Sequence, residues 1–169
     1  MIEGMLKFKQ GMTKVLNALL IVAVAALVLD VCWGVFTRYV MGNASQWTEE
    51  LARFLLIWVA LLGGAVAFGT KAHLGVDYFM GKFDPEPRKL MAIVSHLVVL
   101  FFAAAIFVYG GSRFVADTFA IGQKTPALGL EKGFVYLVIP ISGVFMVIYT
   151  IENMIETIIA KAGVQEEGE

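Results

Sequence analysis

Four apolar stretches, separated by charged intervals that hold most of the turn-forming residues, divide the chain. Val15 to Thr37 is a run of 23 residues with one charge, Asp30. As a helix rising about 1.5 Å per residue it is about 35 Å long, enough to cross a hydrocarbon core of roughly 30 Å. Arg38, Tyr39 and Gly42 close it with a basic residue, an interfacial aromatic and a glycine stop. Phe54 to Thr70 is uncharged over 17 residues and spans the core with Arg53 paired or snorkelling. A third run holds 23 uncharged residues between Lys89 and Arg113, and a fourth holds 18 from Phe134 to Ile151 before continuing amphipathically through Glu152, Asn153 and Glu156. The pattern predicts an all-α integral membrane protein with four transmembrane helices, over residues 15–38, 49–71, 89–114 and 134–157 of a single membrane domain, 1–169. Pro140 predicts a kink or early break in the last helix. Gly75, Gly81, Pro85 and Pro87 break the 71–89 connection, part of which suits the membrane interface, and 117–133 reads as an irregular polar connection. Residues 163–169 read as a flexible acidic tail.

The second helix separates into two faces at helical spacing. Glu49, Arg53, Leu56, Ala60, Gly63, Ala67 and Thr70 share one side, charged at one end and small along the rest. Trp47, Leu51, Phe54, Trp58, Leu61, Ala65 and Phe68 share the other, which is large and aromatic. In lipid, small residues let helix backbones approach closely, while bulky apolar side chains are equally content against acyl chains. The small, charged face is therefore expected to meet protein, while lipid or protein suits the aromatic face. Thr48 is placed to cap the helix, and Arg53 is within reach of Glu49 and Glu50 at helical spacing. Two readings of this charged start stay open: a helix end held at the membrane interface, or a specific contact between subunits.

Composition narrows the class. With 59% hydrophobic and 16% charged residues and a mean hydropathy of +0.80, the chain is far more apolar than a soluble domain, of which about 25% is charged. A formal net charge of −1 gives no footprint for nucleic acid. The single cysteine, Cys32, can form no internal disulfide. With the termini inside, eight of the 13 Lys and Arg residues fall on the inner side, so both termini are expected in the cytoplasm. Internal repeats of the kind that build many self-sufficient transporters are absent from the sequence.

Candidate chemistry is sparse: no phosphate-binding glycine loop, zinc-ligand spacing or serine-nucleophile elbow is present, and no enzyme is expected. His73 and His96 could together ligate a haem, as in a membrane anchor of a respiratory complex. Asp30 and Arg38 are intramembrane charges, open to reading as a proton or cation site of a small autonomous carrier, as a buried ion pair or as an intersubunit contact. Glu152 and Glu156 are like charges at i and i+4, expected to meet lysines of the 71–89 connection or a partner.

WTEELARFLLIWVALLGGAVAFGTKAHLGVD at residues 47–77, with the four-span layout and the later QKTPALGL and FVYLVIPISG, resembles the DctQ-type small membrane subunit of tripartite ATP-independent periplasmic (TRAP) transporters. The resemblance covers about Val15 to Glu156. It rests on Trp47, Glu49, Glu50, Arg53, Trp58, His73 and Asp77 in the first block and on Pro126, Tyr136 and Pro140 in the second. The sequence departs from the pattern at Leu130, Glu131 and Lys132, where relatives often carry an aromatic residue. The resemblance implies a bacterial inner-membrane scaffold that carries no substrate and packs on a large, M-type elevator subunit. That partner moves an organic acid such as sialic acid or a C4-dicarboxylate on a sodium gradient, after a periplasmic solute-binding protein delivers it. Sodium is then expected on the large subunit, with no cofactor in this chain beyond bound membrane lipid. Candidate subunit contacts are Trp47, Glu49, Glu50, Arg53, Trp58, Ala60, Gly63, Ala67, His73, Asp77 and Pro140. Asn43, Gln46 and Lys124 are candidates for docking the binding protein.

Overall fold

Helices dominate the computed structural model, which describes residues 2–43, 45–69 and 85–159, with side chains over 9–43, 45–69 and 90–157. α1 is Ile2–Tyr39 and α2 is Gln46–Gly69. The third span is composite: α3, Pro85–Phe102, runs through a π-helical segment, Ala103–Gly110, into α4, Gly111–Ile121. The last is a short α5, Lys132–Tyr136, followed by α6, Val138–Ile159. Four helices of the described residues are long and apolar enough to cross a membrane: Lys9–Tyr39, Gln46–Gly69, Leu90–Ile121 and Lys132–Thr157.

Several helix ends differ from those expected. α1 begins at Ile2, well before Val15, so the lysine-bearing stretch ahead of the apolar run is helical too. α2 begins at Gln46, so Thr48 lies inside the first turn and does not cap it. Its hydroxyl donates back to the Ser45 carbonyl at 2.7 Å. The third span runs on to Ile121, taking in residues expected in the loop. It stops at Gly122, whose φ of 65° is the left-handed conformation that ends helices at little cost for glycine. Pro140 breaks the last span three residues before itself. It has no N–H for the Tyr136 carbonyl one turn back, and the helix interrupts at Leu137.

The first, second and fourth spans close around Leu16, Leu62, Val138 and Tyr149, with Met12, Leu20, Ile57, Trp58 and Phe145 against them. Ala65, Ala103 and Met146 join α2, the third span and α6. The principal contacts run from α1 to α2, from α2 to α6, and from α6 to the third span. α6 is therefore the hub: 39% of the apolar window of its span is buried inside the chain, against 11% for each of the first two spans and 6% for the third.

Close packing uses glycine where α6 meets its neighbours. A Cβ on Gly143 would sit 2.6 Å from Phe107 Cβ, and one on Gly69 would meet the Tyr149 ring at 2.8 Å. The π-helical segment lies at the first of these approaches. There the Gly111 N–H donates to the Ile106 carbonyl five residues back, and the widened turn brings Phe107 onto the Gly143 backbone.

Candidate functional site

The charged start of α2 is engaged differently from the local pairing expected. Glu49 pairs with Arg38 of α1, both side chains largely exposed, and not with Arg53. Glu50 turns toward the loop after α4: its Oε2 accepts the N–H groups of Ala127 and Leu128 at 3.0 and 2.9 Å. That loop is built to present them. Pro126 has no N–H and opens the turn, and Gly129 takes φ 67°. Buried Thr125 accepts from Gly129 N at 3.0 Å through its carbonyl and from Leu130 N at 3.0 Å through its hydroxyl. Glu50 thus binds the 122–131 loop to the start of α2. Asn43, Gln46 and Lys124, all exposed, lie at this same end of the molecule.

Asp30 has no ion pair with Arg38, because Arg38 is held by Glu49. The aspartate is 6% exposed, and among the described residues neither carboxylate oxygen has a hydrogen-bond partner. It lines a groove of about 320 Å³ with Gly34, Arg38, Ser45, Thr48, Glu49 and others. Gly34 lets the two helices close here, since a Cβ on it would lie 3.0 Å from Thr48 Oγ1.

Of the two faces of α2, it is mainly the aromatic one that meets the chain's own helices. Trp58, Leu61, Ala65 and Phe68 pack inside the chain against side chains of α1, α6 and the third span. Trp58 Nε1 donates to the Val135 carbonyl at 3.0 Å, beside the break that Pro140 creates. Trp58 and Pro140 therefore shape this chain's own core. Trp47, at 42% exposure, remains largely outside. On the small face, Glu49, Arg53, Leu56, Ala60 and Ala67 are exposed, and Gly63 is half-buried with Leu20 Cδ1 3.9 Å from where its Cβ would be. Among the described residues, this face is left exposed from Glu49 to Ala60.

At the opposite end, α1 is clamped to α6. Lys9 Nζ donates to Asn153 Oδ1 at 3.0 Å and lies 3.4 Å from Glu156 Oε1. Thr13 Oγ1 and the buried Tyr149 hydroxyl are 2.9 Å apart, and Asn153 Nδ2 donates to the Phe68 carbonyl at 3.1 Å. Glu156 thus meets a lysine of α1, while the lysine side chains of the 71–89 connection, expected to meet Glu152 and Glu156, lie outside the described residues. Long-range pairing of α1 with α6 carries no periodic signal, so Lys9, Thr13 and Tyr149 were not legible as a set. Glu152 is buried, with Oε2 unpartnered among the described residues. His96 is half-buried on α3, while His73 and Asp77 lie outside the described residues.

Residues 27–160 match the family model for the DctQ component of tripartite ATP-independent periplasmic transporters. The chain belongs to the DctQ family. It is 29% identical over 130 residues to the small permease protein of a sialic acid TRAP transporter from Vibrio cholerae, covering 77% of this chain and 73% of that protein. It is 28% identical over 100 residues to the small permease protein of a C4-dicarboxylate TRAP transporter from Rhodobacter capsulatus, covering 59% of this chain and 44% of that one. A third relative, the isethionate TRAP transporter permease protein of Oleidesulfovibrio alaskensis, is 24% identical over 163 residues. Those residues make up 90% of this chain and 26% of that longer polypeptide. As a DctQ-family chain with four apolar spans, the protein is a multi-pass inner-membrane transporter permease subunit and not an enzyme.

Proposed function

We propose that this DctQ-family chain is the non-transporting scaffold subunit of a sodium-coupled importer of organic acids. In this reading it packs on a large M-type permease subunit, which carries both solute and sodium. The observation that supports it most is the outward stripe of Arg53, Leu56 and Ala60 on α2, exposed among the described residues and leading into small residues along the membrane part of the same face. Small residues on a membrane helix favour close helix contact over lipid, so a neighbouring protein helix is its natural complement. The similarity to one region of a longer isethionate permease fits the same arrangement, with small and large parts in one polypeptide. Both termini then lie in the cytoplasm. Asn43, Gln46 and Lys124 face the periplasm beside the Glu50-bound loop, where a solute-binding protein would dock transiently. The relatives' named solutes, sialic acid, a C4-dicarboxylate and isethionate, share an anionic group, and an organic anion is the corresponding cargo here.

Reconstitution tests this directly. Proteoliposomes containing the large subunit, this chain, the binding protein and an inward sodium gradient should accumulate solute, and omitting this chain should abolish uptake. Arg53→Ala should reduce co-purification of the two membrane subunits and the uptake rate in proportion, with the solute preference unchanged. Uptake by this chain alone, or a changed solute preference in Arg53→Ala, would show that it belongs to the transport path itself.

A further inference from the structure

We propose that the Asp30 groove receives a basic side chain of the large permease subunit, an arginine by its geometry. This inference rests on the scaffold reading and assigns it a specific polar anchor. Asp30 is 94% buried, and both its oxygens are unpartnered among the described residues. Two of the donors that line the groove are engaged elsewhere. The Thr48 hydroxyl gives its one proton to the Ser45 carbonyl at 2.7 Å, and Arg38, the cation lining the groove, is held by Glu49. Taking Asp30, Glu49 and Arg38 together, the lining carries one uncompensated negative charge.

An unpaired carboxylate within the bilayer is costly, so it calls for a complement. Depth selects which one. Asp30 lies eight residues before Arg38 on a continuous helix, about 12 Å below the level at which Arg38 and Tyr39 meet the interface. That is too deep for the amine of a lipid headgroup. The groove is also poor in ligands for a metal ion, because of its two carboxylates only Asp30 is unpaired and Glu49 is held by Arg38. A guanidinium, by contrast, presents a planar fork that satisfies two carboxylate oxygens at once, and a groove of about 320 Å³ has room for it. The location agrees, because Glu49 both lines the groove and begins the exposed α2 stripe. One helix of the large subunit lying along that stripe would bring its side chains to the groove.

The experiment uses the purified complex of this chain with its large permease subunit. Asp30→Asn, which keeps the shape and removes the charge, should weaken association about thirtyfold, the scale of breaking one partner of a buried charge pair. The same variant should leave the isolated chain at least as resistant to thermal unfolding as the unaltered one, because no partner within the chain is lost. Asp30→Lys should abolish the complex, and an Arg→Asp exchange in a membrane helix of the large subunit should restore it. A photo-crosslinking side chain at exposed Val35, on the groove wall, should capture that helix. Full-strength association in both Asp30→Asn and Asp30→Lys would overturn the anchor while leaving the scaffold reading intact, as would crosslinking of Val35 only to lipid. Failure of the unaltered chain to bind the large subunit at all would overturn both.

Discussion

At one end of α1, Lys9 and Thr13 reach across to Asn153, Glu156 and Tyr149 of α6; at the other, Asp30 bonds to none of the described residues. Both ends place polar side chains within helices that cross a membrane. In the first, the polar groups meet one another, and Tyr149, fully buried, packs its ring over the Gly69 backbone while its hydroxyl finds Thr13. In the second, Thr48 donates to Ser45 and Arg38 pairs with Glu49, and neither bonds to Asp30. The contrast separates two uses of polarity in lipid, where an unmet polar group has no water to turn to. A cluster that closes on itself holds the fold, and one that leaves a charge over is completed from outside.

The closed end can be broken most severely at Tyr149. Tyr149→Ala removes a ring packed against Leu16, Leu62 and Val138 and leaves a cavity among them, for a loss of about 3–5 kcal/mol. Thermal or denaturant unfolding of the isolated chain in detergent measures it. Tyr149→Phe keeps the ring and removes only the bond to Thr13, for about 1 kcal/mol. If the alanine variant cost no more than the phenylalanine one, ring packing would not be what joins α1 and α6.

Much of this architecture was legible in the sequence, and the physics says which part. Hydropathy over a bilayer thickness located four spans, and the missing N–H of Pro140 signalled a kink or early break in the last of them, which falls at Leu137. Period alone also separated the two faces of α2, but it did not say which face met the chain's own helices. A large aromatic side chain is acceptable both to lipid and to a core, so Trp58 and Phe68 carried no decision between them. The π-helical turn at Ala103–Gly110 has no local signature, because it arises where Phe107 must fit against Gly143, on another helix. Charges proved hardest to pair. Near-neighbour spacing favoured Arg53 for Glu49 and Glu50, whereas the folded chain gives them Arg38 and the amides of Ala127 and Leu128. Those partners depend on the α1–α2 turn and on a loop folded back from 77 residues away.

Glu50 offers an intermediate test, because it closes part of the end that Asp30 leaves open. Glu50→Gln keeps one acceptor oxygen but removes the charge that strengthens both bonds to the loop. A loss of about 1–2 kcal/mol is expected, confined to the 122–131 segment. Hydrogen exchange should speed up at the Ala127 and Leu128 amides and stay unchanged at α6. Equal acceleration throughout the chain would mean that the loop and the core open together, and the two ends would then not be energetically separate.

The smallest effect belongs to the ion pair beside the groove. Arg38 and Glu49 have side chains 54% and 61% exposed, so water and salt screen their attraction, and holding two long side chains in place offsets much of it. Arg38→Ala should therefore change the stability of the isolated chain by no more than about 0.5 kcal/mol, and less as salt is raised. In the complex the outcome differs by an argument of charge. Removing Arg38 leaves Glu49 without its cation and the groove with two negative charges, so an incoming basic side chain should be held at least as well as before. Salt-dependent association measured for Arg38→Ala beside Asp30→Asn sharpens the comparison: the first should preserve or strengthen binding, while the second weakens it. Parallel losses in both variants would mean that the open end works through the Arg38–Glu49 pair and not through the unpaired carboxylate below it.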